Sequence, residues 1–120
     1  MGVSFFPRIE NAIDDCAFDI CGKALASEYK RINGLIKKQG YRDLITFYVP
    51  HEEEMTGDDK VAWYNPMEGI GIIDAMTKAL EERKAEFDCY DRLKTDLVKF
   101  RMALDMAASH GKRWNLGMNG

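Results

Sequence analysis

The chain has 120 residues, of which 46% are hydrophobic and 31% charged, a composition typical of one soluble globular domain. Its formal net charge of −3 argues against general nucleic-acid binding. No apolar run approaches the roughly 18 residues that a membrane-spanning helix needs, and the N-terminus lacks the features of a secretory signal.

The first half of the chain predicts a strand, a helix and a second strand. Residues 3–6 are β-branched and aromatic and end at Pro7, which predicts a short strand. A helix is predicted from Gly22 to Gly40, where glycine can end it. Its apolar stripe consists of Leu25, Tyr29, Ile32 and Ile36. Residues 44–49 predict a strand, although a helical turn at its start remains open.

The second half begins with an acidic loop and continues with two helices. Pro50 opens the loop, which runs to Lys60, and residues 61–64 form a short extended piece that brings Trp63 onto the core. A helix is predicted from Asn65 as N-cap to about Arg83, with Pro66 at its first position and a stripe of Ile70, Ile73, Met76 and Leu80.

The final helix is predicted to start at Asp91 as its cap and to end at Gly111. Its stripe is Leu93, Leu97, Phe100, Leu104 and Ala107. Residues 112–116 alternate polar and apolar side chains, as a terminal strand does. These elements predict an α+β fold: a single small domain over residues 1–120, with about three helices packed on a small, mostly antiparallel sheet.

Charge is distributed in blocks along the chain. Six cations lie close together: Lys23, Lys30, Arg31, Lys37, Lys38 and Arg42. Two acidic groups flank them, Glu10, Asp14, Asp15 and Asp19 before and Glu52, Glu53, Glu54, Asp58 and Asp59 after. Such blocks are most often solvated faces and loops, and they can also steer a charged partner.

Two closely spaced glycines, Gly69 and Gly71, resemble a phosphate-binding turn. A dinucleotide fingerprint needs a third glycine where the chain has Asp74, and the Gly-Lys-Ser/Thr of a phosphate loop is absent. We therefore expect close packing, in which Gly69 or Gly71 contacts another backbone or an aromatic ring. The favoured rings are those of Trp63 and Trp114.

No motif in the sequence assembles a catalytic or metal site. The segment that begins at His51 lacks the second histidine of a zinc protease, because position 55 is methionine. The three cysteines, Cys16, Cys21 and Cys89, are odd in number and scattered, which favours reduced thiols in a cytoplasm. His110 is explained as a cation in the last turn of a helix. We expect no metal, no cofactor and no catalytic residue.

Several segments look like landmarks of small uncharacterised bacterial proteins. They are residues 22–25, Trp63 with residues 65–69, residues 96–97 and residues 111–116. Some proteins of that kind resemble immunity proteins, which neutralise a toxin by binding it. The resemblance implies a protein partner and carries no catalytic residue.

The leading hypothesis is a non-enzymatic, cytoplasmic protein–protein interaction domain, and an immunity-type inhibitor that binds and occludes a toxin is one form of it. Contact with a basic partner such as a toxin is placed at Glu52, Glu53, Glu54, Asp58 and Asp59. One alternative is a small enzyme or ligand-binding domain, with a pocket built from Tyr29, Tyr48, Trp63, Asp74 and His110. Another is a homodimeric structural protein, whose glycine-bearing helix packs on its mate.

Overall fold

A computed structural model describes residues 3–10, 21–49 and 62–119. Two strands and three α-helices make up most of these ranges, with two short 3-10 helices between them. In chain order the elements are β1 (Ser4–Ile9), α1 (Lys23–Lys37), a 3-10 helix (Leu44–Phe47), α2 (Pro66–Glu82), a second 3-10 helix (Lys84–Glu86), α3 (Tyr90–Ser109) and β2 (Trp114–Asn119). The fold is α+β, as the sequence predicts.

The first and last strands form a two-stranded antiparallel sheet. Ser4 lies opposite Asn119, and Ile9 lies opposite Trp114. The predicted end of the first strand at Pro7 is wrong, because β1 continues through this proline to Ile9. A proline has no N–H to donate, and an edge strand such as β1 tolerates the missing hydrogen bond.

The far edge of β2 is held by two isolated bridges. Tyr64 forms an antiparallel bridge with Trp114, and Tyr48 forms a parallel bridge with Leu116. The backbone of Tyr64 both donates to and accepts from that of Trp114, at 2.8 and 3.0 Å. These bridges tie the segments on either side of residues 50–61 to the same strand.

The core lies where the three helices meet the sheet. The predicted stripes of α2 and α3 are buried throughout, and in α1 Leu25, Ile32 and Ile36 are fully buried while Tyr29 is half-buried. Trp114 is fully buried and stacks on Phe47, with ring centroids 4.9 Å apart. Phe100 meets the same indole edge-on at 5.7 Å. The indole thus joins helix, sheet and 3-10 helix.

The strand predicted over residues 44–49 is wrong, and the helical turn left open at its start is present. Asp43 lies in extended conformation, and its carboxylate accepts from the backbone N–H of Ile45 at 3.0 Å. This cap stabilises a 3-10 helix over Leu44–Phe47, so that only the end of the segment reaches the sheet: Tyr48 forms the bridge, and the N–H of Val49 donates to the carbonyl oxygen of Leu116 at 3.2 Å. A local hydrogen bond here outweighs the β-propensity of the side chains.

Element ends differ from the predictions by one to three residues, and β2 ends at Asn119 instead of residue 116. α3 starts at Tyr90 with Cys89 as its N-cap, and Asp91 lies in the first turn, where its charge suits the helix dipole. β2 starts at Trp114 instead of residue 112. Gly111 ends α3 in the left-handed region, at φ 66°, as expected. Trp63 is only half-buried, because its neighbour Tyr64 makes the bridge to β2.

Candidate functional site

The described surface carries a row of cations along one side of α1. The helix buries its apolar stripe, so the remaining positions face solvent. The exposed residues of α1 and of the turn that follows it include Lys23, Ser27, Lys30, Arg31, Gly34, Lys37 and Lys38. We call the five cations among them, Lys23, Lys30, Arg31, Lys37 and Lys38, the basic face. From Lys23 to Lys37 it extends about 21 Å along the helix axis.

The start of α1 is fixed by contacts from distant parts of the chain. Gly22 has φ 71°, and a Cβ at this position would lie 1.9 Å from the carbonyl oxygen of Phe5. The carbonyl oxygen of Gly22 in turn accepts from the N–H of Phe5 at 3.0 Å. Only glycine allows this approach, which joins α1 to the sheet.

Asp96, a buried residue of α3, caps the start of α1. Its Oδ2 accepts from the backbone N–H groups of Ala24 and Leu25, at 3.1 and 3.2 Å. Gly22, the formal N-cap, has no side chain that could accept a hydrogen bond, so the carboxylate takes that role from another helix. Because Asp96 is 3% exposed, the bonds form away from competing water.

The other end of α1 is held by Asn33. This side chain is buried, and its Oδ1 accepts from the backbone N–H of Leu44 at 3.3 Å. The contact orients the 3-10 helix against α1. Two buried polar side chains therefore hold α1 to the rest of the fold, Asp96 at the start of the helix and Asn33 in its second half.

Two arginines contact aromatic rings: Arg31 within the basic face and Arg42 beyond its end. Arg31 lies over the ring of Phe87 at 4.9 Å. Arg42 lies over Phe47 at 4.2 Å and forms an ion pair with Glu68 at 3.5 Å. These contacts hold each guanidinium near the protein surface.

The lysines of the basic face contrast with the arginines. No ion pair joins Lys23, Lys30, Lys37 or Lys38 to an acid within residues 3–10, 21–49 and 62–119. Five cations elsewhere on the described surface do form ion pairs with acids, as Arg101 does with Asp74 at 2.7 Å. On one side of α1 and the turn after it, four ammonium groups therefore project without an ion pair to any acid in the described part of the chain.

Ion pairs on the other elements show what the basic face lacks. Lys94 donates to Glu81, and this hydrogen bond, with a second from Tyr90, holds the pKa of the Glu81 carboxyl below its usual value. The hydrogen bond from Arg113 likewise lowers the pKa of Glu10. Both pairs bring opposite charges together, whereas no ion pair joins a lysine of α1 to an acid within the described residues.

A cavity of about 650 Å³ lies beside the basic face, where α1 and α3 begin. Its lining residues are Cys21, Lys23, Ala24, Ser27, Cys89, Asp91, Arg92, Thr95 and Asp96. The Cys89 thiol donates to Glu28 Oε1 at 3.9 Å, and burial followed by the charge of Glu28 raises the pKa of Cys89. A thiol in these surroundings stays protonated at neutral pH and is a poor nucleophile.

The two glycines of α2 have different surroundings. A Cβ at Gly69 would lie 2.6 Å from Cζ2 of Trp114 and 2.8 Å from Cδ1 of Leu104, so the ring of Trp114 packs directly on this glycine. A Cβ at Gly71 would meet nothing within 4 Å. The close approach therefore belongs to Gly69 and to Trp114, which also donates from Nε1 to the carbonyl oxygen of Asn65 at 3.1 Å.

The remaining predicted site residues do not come together around the cavity. Glu52, Glu53, Glu54, Asp58 and Asp59 lie outside the described residues. Tyr29 donates to Asp43, Tyr48 bridges to β2, Asp74 pairs with Arg101, and His110 is exposed at the end of α3. None of these four, and not Trp63, lines the cavity between α1 and α3.

Sequence reasoning missed the two buried polar side chains that position α1. A periodicity that places Leu93, Leu97 and Phe100 inside also places Asp96 close to the same buried side, which is a usable signal. Asn33 likewise directly follows the buried Ile32. A polar residue at a position that the pattern buries requires a hydrogen-bond partner.

Comparisons with family models, curated proteins and solved structures give no match to this chain. No helix of the described residues is both long and apolar enough to cross a membrane. Within the same part of the chain, no cluster of three or more His, Cys, Asp or Glu side chains is arranged to hold a metal ion.

Proposed function

We propose that this protein acts in the cytoplasm, without catalysing a reaction, by binding another protein through the basic face of α1. The supporting observation is the group of four lysines on one rigid helix with no acidic partner among the described residues. Like charges held together raise the electrostatic energy of the free protein, and an acidic partner relieves it. Charge complementarity of this kind speeds association and selects the partner.

An acidic protein surface fits better than a nucleic acid because of the charge of the whole chain. The net charge is −3, so the field far from the molecule repels an extended polyanion. Close to α1, the field of the basic face dominates within about 10 Å at moderate salt. A compact acidic patch can use this local field without crossing the acidic parts of the surface.

An immunity-type inhibitor, which binds a toxin and occludes its active site, is one protein of this class. In that form of the proposal, Glu52, Glu53, Glu54, Asp58 and Asp59 contact a basic toxin. The basic face is then a second contact surface of opposite charge. Reversing these five acids is expected to slow association with a basic toxin and to reduce its salt dependence.

The experiment compares proteins captured from the native cell by three immobilised forms. These are the wild type, a variant with Lys30→Glu and Lys37→Glu, and a control with Lys78→Glu and Lys84→Glu on and after α2. All four lysines are exposed, so the two variants change the net charge equally. Mass spectrometry should find a stoichiometric protein with the wild type and the control. Equal recovery of that protein by the α1 variant would contradict the assignment of the basic face as the binding surface.

The cavity beside α1 supports a second candidate, a ligand-binding or enzymatic domain. Its volume of about 650 Å³ lies within the range typical of small-molecule sites. Thermal-shift screening against a metabolite library tests this candidate. A ligand whose stabilisation disappears in a Thr95→Phe variant, which fills the cavity, would favour it over the binding protein.

A homodimeric structural protein is the third candidate. Gly69 is covered by Trp114 inside the chain, so of the two glycines only Gly71 is open to a mate. Light scattering of the purified protein tests this candidate directly. A mass of about 13.7 kDa would exclude it, and twice that mass would support it.

A further inference from the structure

We propose that the partner docks as an acidic α-helix laid along α1, with one apolar side chain seated in the hollow beside Ser27. This inference rests on the proposed function and specifies the partner's structure. Three independent features of the exposed side of α1 carry it: the spacing of its cations, the small residues between them and the apolar hollow at one end.

The first feature is a seven-residue repeat of lysines. Lys23, Lys30 and Lys37 are each separated by seven residues, so their side chains leave α1 in nearly the same direction about 10.5 Å apart. A partner helix with acids seven residues apart presents carboxylates at this same spacing. An extended strand instead presents side chains on one face about every 7 Å, which does not match.

The second feature is the pair of small residues between the lysines. Ser27 and Gly34 are exposed, lie seven residues apart and alternate with the lysines at steps of four and three. A Cβ built at Gly34 would have no atom of another described residue within 4 Å, its immediate neighbours in the helix aside. An exposed glycine inside a helix costs stability relative to alanine, and no contact within the described chain compensates for it. Small side chains at these positions allow a second helix axis to approach closely.

The third feature is an apolar hollow next to Ser27. Its volume is about 290 Å³, and Val3, Lys23, Ala26 and Ser27 line it. Val3, which directly precedes β1, is 42% exposed and gives the hollow an apolar side that solvent reaches. Interfaces gain most of their affinity from a few buried apolar anchors, while exposed ion pairs contribute little. A leucine or phenylalanine of the partner helix seated here would supply that anchor.

The test uses two synthetic, alanine-based peptides of identical composition, each about six helical turns long. The facial peptide has three glutamates spaced seven residues apart and one leucine on the same side. The isomeric peptide has these residues distributed around the helix. Binding is measured by fluorescence anisotropy at low salt, and a duplex DNA oligonucleotide as long as the helical peptides is the third probe.

We expect the facial peptide to bind the wild type about tenfold more tightly than the isomeric peptide, because only its three carboxylates reach the lysines together. The Lys30→Glu, Lys37→Glu variant should lose about tenfold or more of this affinity. Gly34→Gln should also lose affinity without any change in charge, because its side chain blocks the close approach. The matched control with Lys78→Glu and Lys84→Glu should bind as the wild type does.

The outcomes separate this inference from the proposed function. Equal binding of both peptides, with no effect of Gly34→Gln, would overturn the helical partner. If the Lys30→Glu, Lys37→Glu variant nevertheless loses binding to both peptides, the proposal of an acidic partner still stands. If neither peptide binds and the cell-capture result is unchanged by the reversal, both proposals fail. Tighter binding of the duplex DNA than of either peptide would replace the protein partner with a nucleic acid.

Discussion

Replacing Gly69 with alanine should destabilise the protein, although alanine is the better helix former. The added methyl group would lie 2.6 Å from Cζ2 of Trp114 and 2.8 Å from Cδ1 of Leu104. Both neighbours are fully buried, so neither can move into solvent. Overpacking of this kind costs about 1–3 kcal/mol, whereas the gain in helix propensity is about 1 kcal/mol. We expect a net loss of about 0–2 kcal/mol in the free energy of unfolding.

Gly71→Ala is the matched control, because it lies two residues along the same helix with nothing within 4 Å of its Cβ position. It should gain about 0.5–1 kcal/mol from helix propensity alone. Urea denaturation followed by tryptophan fluorescence gives both values, and the two variants should differ by about 1–3 kcal/mol. Equal stability of the two variants would refute the packing of Trp114 on Gly69.

A double-mutant cycle identifies the colliding group. Trp114→Phe removes the ring atom closest to the new methyl group, so Gly69→Ala should cost less in this background than in the wild type. An interaction energy of about 0.5 kcal/mol or more would assign the clash to the indole ring. A cost that is unchanged by Trp114→Phe would instead point to Leu104.

Three further predictions concern α3 and its contacts. Asp96→Ala should lower the free energy of unfolding by about 2–4 kcal/mol, because two N–H groups at the start of α1 lose a charged acceptor. Asp96→Asn should lower it less, because the amide oxygen still accepts a hydrogen bond. Equal urea midpoints for the two variants would argue against the cap. Leu97→Ala should cost about 2–5 kcal/mol through a cavity in the core, and a loss below about 0.5 kcal/mol in the same melts would contradict its burial. Cys89 should be alkylated more slowly than the exposed Cys21 at pH 8, because its raised pKa keeps the thiol protonated. Glu28→Gln should speed the alkylation of Cys89 and leave that of Cys21 unchanged, as measured by peptide mapping. Equal alkylation rates of Cys89 in the wild type and the variant would show that Glu28 does not raise this pKa.

The α-helices of this protein follow closely from sequence periodicity. Apolar side chains at steps of three and four predict α2 and α3, and Asn65 with Pro66 marks the start of α2 correctly. These signals are local, since each depends on residues within one or two turns. Local energetics therefore suffice to place most helical residues and the stripes that they bury.

The errors occur where a hydrogen bond decides between two local structures. Residues 44–47 have strand-forming side chains, and the carboxylate of Asp43 nevertheless stabilises a 3-10 helix. β1 continues through Pro7 because its pairing with β2 extends to Ile9. A window of a few residues does not contain that partner strand, so it cannot predict where pairing ends.

The candidate site was only partly visible before the structure. The block of cations from Lys23 to Lys38 is evident in the sequence, but its arrangement on one side of α1 depends on which stripe the helix buries. Whether those lysines form ion pairs depends on the tertiary surroundings, and within the described residues none joins them to an acid. Similarly, Gly69 and Gly71 look alike in sequence, and only packing distinguishes them.

The sequence by itself determined the fold class, the three helices and their buried stripes, because helical periodicity and helix capping act over a few residues. The tertiary structure decided which glycine packs on Trp114, which carboxylate caps α1 and which lysines form no ion pair with an acid of the described ranges. These are contacts between residues far apart in the chain: Asp96 lies 72 positions from Ala24. Their geometry depends on how the helices dock, which no local pattern of residues specifies.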